Sequence, residues 1–309
     1  MLNNLLLVAS QVGTLFLMMG VGFLLSKAGK LSVSSVNQIT FLLLYVVVPC
    51  LVVDALQTEK DPALLHTVGV GFVVLLILYG IYAGVIMLLF RRQPADTRDT
   101  LRFGVLYGNV GFMGIPLIRA VLGERGLIYA TISLAVFTLL NWSHGVVLMG
   151  GRKELSLKKL VLNPGILGTV VGIVLFLLEV RLPATVGDAV SFLGSMNTPL
   201  AMVIIGAQMA QANLRETFRD RRLYLATLFK LVIFPLAAAL ALVPLKLDPM
   251  LYSAIVILLA TPTAGTTAMF AQQFRRDPVI GAEMVSLSTL LSIISLPVFA
   301  VVAKALGGA

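Results

Sequence analysis

Two short stretches of this 309-residue sequence combine side chains and backbone that could hold an anion without a formal positive charge. The first is Tyr107-Gly108-Asn109-Val110-Gly111-Phe112-Met113-Gly114-Ile115-Pro116, and the second is Ala260-Thr261-Pro262-Thr263-Ala264-Gly265-Thr266-Thr267-Ala268. Each sets glycine and proline inside an apolar run of membrane length. Proline removes a backbone donor and clashes with the preceding turn, and glycine weakens a helix further, so a helix must break in each stretch. In the first, the unwinding is expected near Gly114 to Pro116. Non-helical backbone at bilayer depth is tolerated only beside protein or a water-filled cavity. The half-helix after each break would begin there with free N–H groups and the positive end of its dipole, and two such ends near the midplane would stabilise an anion. On this reading Asn109, Thr261, Thr263 and Thr266 offer hydrogen bonds to a ligand. Gly111, Gly114 and Gly265 let backbone approach it, and Pro116 and Pro262 hold the breaks open.

Each of these residues also has a plainer role. An intramembrane asparagine can join two helices by a hydrogen bond worth about 1 kcal/mol or less. The threonines, Thr267 among them, can cap half-helices. Asn141, Ser143 and His144 form a polar patch in which Asn141 could face the crossing and His144 could titrate near neutral pH as a coupling group. The plainer reading of His144 is a packing residue. Asn197-Thr198, ahead of Pro199, reads as compensation for a proline kink. Lys230 is an intramembrane ionisable residue and so a candidate for coupling; its place toward one end of an apolar run makes snorkelling to the interface the favoured reading. Asp54, Glu179 and Glu283 read as interfacial. Gly168 and Gly172 form a close-packing pair, read as intramolecular.

The elements that must position these groups follow from composition. With 59% hydrophobic and 12% charged residues and a mean hydropathy of +1.00, this is an integral membrane protein. Apolar runs of roughly 20 residues, the length of a helix crossing about 30 Å of hydrocarbon, recur at 4–25, 35–56, 66–90, 99–123, 127–149, 161–180, 186–210, 223–245, 250–274 and 280–305. The first looks like a helix retained in the protein, since no basic segment precedes it. The net charge of +9 does not point to nucleic acid, because the basic residues sit in short loops. Sixteen Lys and Arg fall in the loops after spans one, three, five, seven and nine, against six on the other side. Positive loops face the cytoplasm, which places both termini outside. The single cysteine, Cys50, excludes an intrachain disulfide. Two distant histidines, no metal-ligand spacing and no phosphate loop argue against an enzyme.

Punctuation rather than identity exposes a repeat. Pro49 in span two has a counterpart in Pro199 of span seven, and Pro116 in span four one in Pro262 of span nine. Residues 1–150 and 151–309 then each hold five spans, an odd number, so the second half enters the membrane upside down. In transporters built from inverted repeats, interrupted segments at matching positions mark the binding site.

The run Asn109-Val-Gly-Phe-Met113-Gly114-Ile115-Pro116-Leu117 resembles the N-x-x-x-M-G-I-P-L signature of the auxin efflux carrier family, which includes plant PIN-type carriers and bacterial malonate-transporter-like proteins. The resemblance extends over the whole chain and to Pro262. It implies a scaffold of helices one, two, six and seven and a transport domain of helices three to five and eight to ten that moves as an elevator. It further implies an anionic, usually carboxylate-bearing substrate held partly at Asn109, with support from Asn141, and a homodimer in the inner membrane. Where plant carriers have Asp and Lys near the start of helix three, this chain has His66 and an apolar run. Sodium-coupled bile acid carriers share the general fold, so Na+ and H+ both stay open as coupling ions. The expected function is secondary transport of a small mono- or dicarboxylate. The alternatives are sodium-coupled transport of a larger amphipathic anion and a membrane sensor that binds without translocating.

Overall fold

A computed structural model describes residues 2–57, 62–156, 158, 161–211 and 217–307. Among them all regular structure is helical; besides a 3-10 turn at Arg152–Glu154, the main pieces are α1 (Leu2–Lys27), α2 (Val33–Ala55), α3 (Pro62–Ile86), α4 (Ala95–Leu106), α5 (Val110–Leu122), α6 (Glu124–Gly150), α7 (Pro164–Leu177), α8 (Ala184–Ala210), α9 (Arg221–Leu245), α10 (Pro249–Leu259), α11 (Thr266–Gln273) and α12 (Pro278–Gly307). Residues 22 to 30 long in α2, α3, α6, α8, α9 and α12 are apolar enough to cross a bilayer, whereas α5, α7, α10 and the stretch Val12–Lys27 of α1 are shorter apolar helices. Starts are encoded locally. Asn163-Pro164, Asp248-Pro249 and Asp277-Pro278 each place an accepting side chain at the cap and a proline, whose missing N–H costs nothing there, at the first helical position.

Three of the four π turns within the helices end two residues before a proline: Leu43–Val47 before Pro49, Val110–Gly114 before Pro116 and Phe229–Ile233 before Pro235. A widened turn takes its hydrogen bonds from five residues back, and so absorbs the donor that proline lacks. Gly114 N–H accordingly reaches Asn109 O at 2.9 Å. This corrects the expected position of the first break. Pro116 sits within the first turn of a regular helical segment, and the chain leaves helical geometry earlier, over residues 107–109. The second break, over residues 260–265, contains Pro262 as expected.

The helices pack in two groups. In the first, α1 lies along α8, and α2 packs against α7 and the start of α8. Gly168 lets α7 approach α2 so closely that an added Cβ would stand 2.7 Å from Pro49 Cα, so the Gly168/Gly172 pair is an intramolecular seam. In the second group α12 collects α9, α10 and α11, while α6 packs on α3, α5 and α10. One end of this group is tied by Arg276, which pairs with Asp96 at 3.0 Å and Asp99 at 3.6 Å and donates to Met149 O at 2.7 Å.

Candidate functional site

The two breaks bond to each other through their backbones. Gly108 and Thr263 form an antiparallel bridge, in which Asn109 N–H donates to Pro262 O at 2.7 Å and Ala264 N–H donates to Tyr107 O at 3.0 Å. Backbone groups that a continuous helix would have satisfied internally are thus satisfied across the crossing, as burial in a membrane protein requires. Side chains complete the joint. Thr263 Oγ1 donates to Gly104 O at 3.0 Å at the end of α4, its N–H donates to Ser288 Oγ at 3.0 Å, and Thr261 Oγ1 donates to Leu258 O at 2.6 Å at the end of α10.

From this joint α5 and α11 set out. Asn109 caps the first, its Oδ1 accepting from Phe112 N–H at 3.2 Å; its NH2 has no protein acceptor among the described residues. Thr266 begins the second and donates to Asn141 Oδ1 at 3.4 Å across to α6. Asn141 is 1% exposed, and its NH2 group is buried without a partner. Such a group carries a penalty of about 1–3 kcal/mol unless something else accepts from it.

Both helix starts border a cavity of about 1090 Å³. Its walls come from both helix groups: Val36, Thr40, Leu44 and Tyr45 of α2, Asn163 to Gly165 at the start of α7, and Gln208 of α8 on one side; Asn109, Gly111, Phe112, Phe137, Asn141, Trp142, Gly265 and Thr266 on the other. Lys158 is the one charged side chain among the described lining residues. The rim includes Val33, Lys158 and Pro278, all exposed. Amide side chains and two helix N-termini in an apolar wall, with a lysine at the mouth and no carboxylate among the described lining residues, make a surface suited to oxyanions.

Residues 7–157 and again 152–300 match the family described as membrane transport protein, which is the auxin efflux carrier family. The chain belongs to that family. It is 26% identical over 289 residues, 91% of this chain and 94% of the other, to a Methanothermobacter thermautotrophicus protein named an uncharacterized transporter. A Rhizobium meliloti protein provisionally named a malonate transporter is 24% identical over 77% of this chain and 75% of its own. A Methanocaldococcus jannaschii protein, also named an uncharacterized transporter, is 21% identical over 72% and 75%.

In this family member the residues singled out from sequence divide into two sets. Asn109, Gly111, Asn141, Gly265 and Thr266 come together on the cavity wall. The remainder serve the joint behind it or lie apart. Thr261 and Thr263 spend their hydroxyls on helix-end carbonyls and lie outside the cavity lining. Gly114 faces α10, where an added Cβ would stand 2.5 Å from Leu258 Cδ2, so its smallness serves helix packing instead of ligand approach. Thr267 is fully buried. His144 is outside the lining, its Nδ1 2.9 Å from Tyr107 Oη. Lys230 does not snorkel: it is 2% exposed, because its ammonium is drawn inward to Leu259 O at 3.0 Å. Glu283, near the start of α12, is buried against protein at 7% exposure. Asn197 does more than mend a kink, since its Nδ2 donates to Gly111 O at 3.4 Å across the two helix groups. Gln208 and Asn163 were missed; as single amides at the ends of apolar helices, they carry no signal until folding brings them to the cavity.

Proposed function

We propose that this chain is a secondary carrier that moves a small organic anion, a mono- or dicarboxylate of the malonate class, across the cytoplasmic membrane. The observation that carries this reading is the cavity wall, where Asn109, Asn141, Thr266 and two helix starts meet with no carboxylate among the described lining residues. A carboxylate accepts the hydrogen bonds that Asn109 NH2 and Asn141 NH2 leave unused. The malonate name of the Rhizobium meliloti relative agrees with this substrate class.

Alternating access is the mechanism. The ten spans are α1, α2, α3, α4 with α5, α6, α7, α8, α9, α10 with α11, and α12, in two inverted halves. The group α1, α2, α7 and α8 is the scaffold. The other helices, tied by the bridge and by the Arg276 ion pairs, move as an elevator carrying the site past it. Both termini lie outside, so the rim at Val33, Lys158 and Pro278 opens to the cytoplasm, and the conformation is inward-facing.

A second reading keeps the carrier and changes the cargo. The cavity is far larger than a three-carbon dicarboxylate, and Tyr45, Phe112, Phe137 and Trp142 line it, which favours a larger amphipathic acid. The test is uptake of radiolabelled malonate, malate and an indole carboxylate into proteoliposomes, with Asn109→Ala as control. Uptake of one acid by wild type alone supports the proposal and selects the cargo. If none moves while an acid still raises the thermal unfolding midpoint, the protein is a ligand sensor.

A further inference from the structure

Lys230 is the most deeply buried cation described in the chain and takes no part in the cavity wall. It lies in the π turn Phe229–Ile233 of α9, and no ion pair to it is formed among the described residues. Its ammonium instead donates to Leu259 O at 3.0 Å, the last carbonyl of α10. The bridge strand presses on it from the other side. A Cβ added at Gly108 would stand 2.6 Å from Lys230 Nζ and 2.6 Å from Thr261 Oγ1.

The electrostatics of the joint explain the placement. The carbonyl ends of α4 and α10 both point into the crossing, and each carries about half a negative charge. At α4 the answer is neutral, the Thr263 hydroxyl on Gly104 O. At α10 one carbonyl receives the Thr261 hydroxyl and the next receives Lys230 Nζ. Helix-end carbonyl oxygens facing a dry interior are donors that a hard cation takes. Here a tethered ammonium stands in that position.

We infer that Lys230 is the resident cation of the crossing: its ammonium fills the place a dissociable alkali cation would occupy, braces the Gly108–Thr263 bridge, and makes substrate binding independent of sodium. The effect on transport rests on the carrier reading above; the effect on the joint does not. Removing the charge while keeping bulk, as in Lys230→Met, leaves a folded protein, since a buried charge exchanged for an apolar side chain of similar size is often tolerated. It also removes what holds the helix end at the bridge.

The experiment reads stability and uptake separately in wild type, Lys230→Ala and Lys230→Met. Thermal unfolding in detergent is followed in sodium, choline and ethylammonium chlorides at equal ionic strength. The expected result is a wild-type midpoint indifferent to the three salts and a lowered Lys230→Ala midpoint that ethylammonium specifically raises. Sodium stabilising the wild type, or ethylammonium leaving Lys230→Ala unmoved, overturns the inference. Malonate uptake should be equal in sodium and choline for wild type and fall by about tenfold or more, some 1.4 kcal/mol, in Lys230→Met. Sodium-dependent uptake by wild type, or uptake at the wild-type rate by Lys230→Met, overturns it as well. If Lys230→Ala does not fold, the Lys230→Met uptake and the wild-type salt response decide. If wild type takes up no acid, the carrier reading fails, and the thermal measurements still judge the resident cation.

Discussion

In the first break three residues leave helical geometry, and the next turns wind through a widened turn before Pro116; in the second, six residues around Pro262 interrupt the helix before α11 begins. The first contributes an amide, Asn109, to the cavity, and a neutral hydroxyl from its partner closes its upstream helix end. The second contributes Gly265 and Thr266 to the cavity, and an ammonium closes its upstream end. The two breaks thus have unlike chemistry. Glycine-proline interruptions locate the joint, but the division between ligand contact and structural brace differs from one side to the other.

That asymmetry can be broken at several points. The largest effect is expected at Asn109, whose oxygen caps α5 and which lines the cavity. Aspartate caps as well as asparagine does but offers no NH2 and repels an anion. Asn109→Asp should therefore retain its unfolding midpoint within a few degrees and lose uptake by about a hundredfold or more, since a site left with a wrong polar partner discriminates strongly. Uptake near the wild-type rate would remove Asn109 from the site.

The two prolines should then separate. Pro262 holds extended backbone whose carbonyl accepts from Asn109 N–H, and alanine there removes about 3 kcal/mol of opposition to helix. Pro262→Ala should cut uptake by about tenfold, a loss of about 1.4 kcal/mol. Pro116 occupies the first turn of a helical segment, where proline is tolerated. Pro116→Ala should stay within about twofold of wild type, because proline in the first turn holds the helix open nowhere and alanine continues the same helical segment. Equal losses in proteoliposome uptake would return the break to Gly114 to Pro116.

The glycines test packing against cavity. Gly114→Ala drives a methyl into Leu258 and should destabilise by about 1–3 kcal/mol in denaturant titrations. At Gly111 an added Cβ meets Leu134 Cδ1 at an ordinary 3.4 Å, and Gly111→Ala should stay within about 0.5 kcal/mol. The smallest effect is expected for Thr266→Val, which loses one long bond to Asn141. The half-saturation concentration for the transported acid should rise about two- to fivefold, in line with interhelical hydrogen bonds of about 1 kcal/mol or less. No change would detach Asn141 from the second break.

The contrast between Lys230 and Asn109 shows why part of the site was legible and part was not. Asn109 stands beside a glycine-proline interruption, and the interruption forces unpaired backbone wherever the helix goes, so its neighbourhood is chemically special before any fold is known. Lys230 stands in an ordinary apolar run. Distance along the run suggested an outward course for its side chain; the carbonyl that drew it inward belongs to Leu259, 29 residues on. Gly114 misled in the opposite way, because glycine serves close ligand approach and close helix packing equally well and only the presence of Leu258 distinguishes them.

The amino-acid sequence by itself determined that the chain is an all-helical membrane protein, which helices are interrupted, where several of them start, and that polar groups at the interruptions must find partners. These follow from hydropathy, from proline's missing donor and from side-chain caps, all of which act within a few residues. The tertiary structure decided where the first break falls, which of the polar groups face a cavity and which are consumed by the joint, and that an ammonium closes one helix end. Those outcomes depend on hydrogen bonds between segments some 30 to 160 residues apart, and no local pattern encodes which donor will meet which acceptor once both are removed from water.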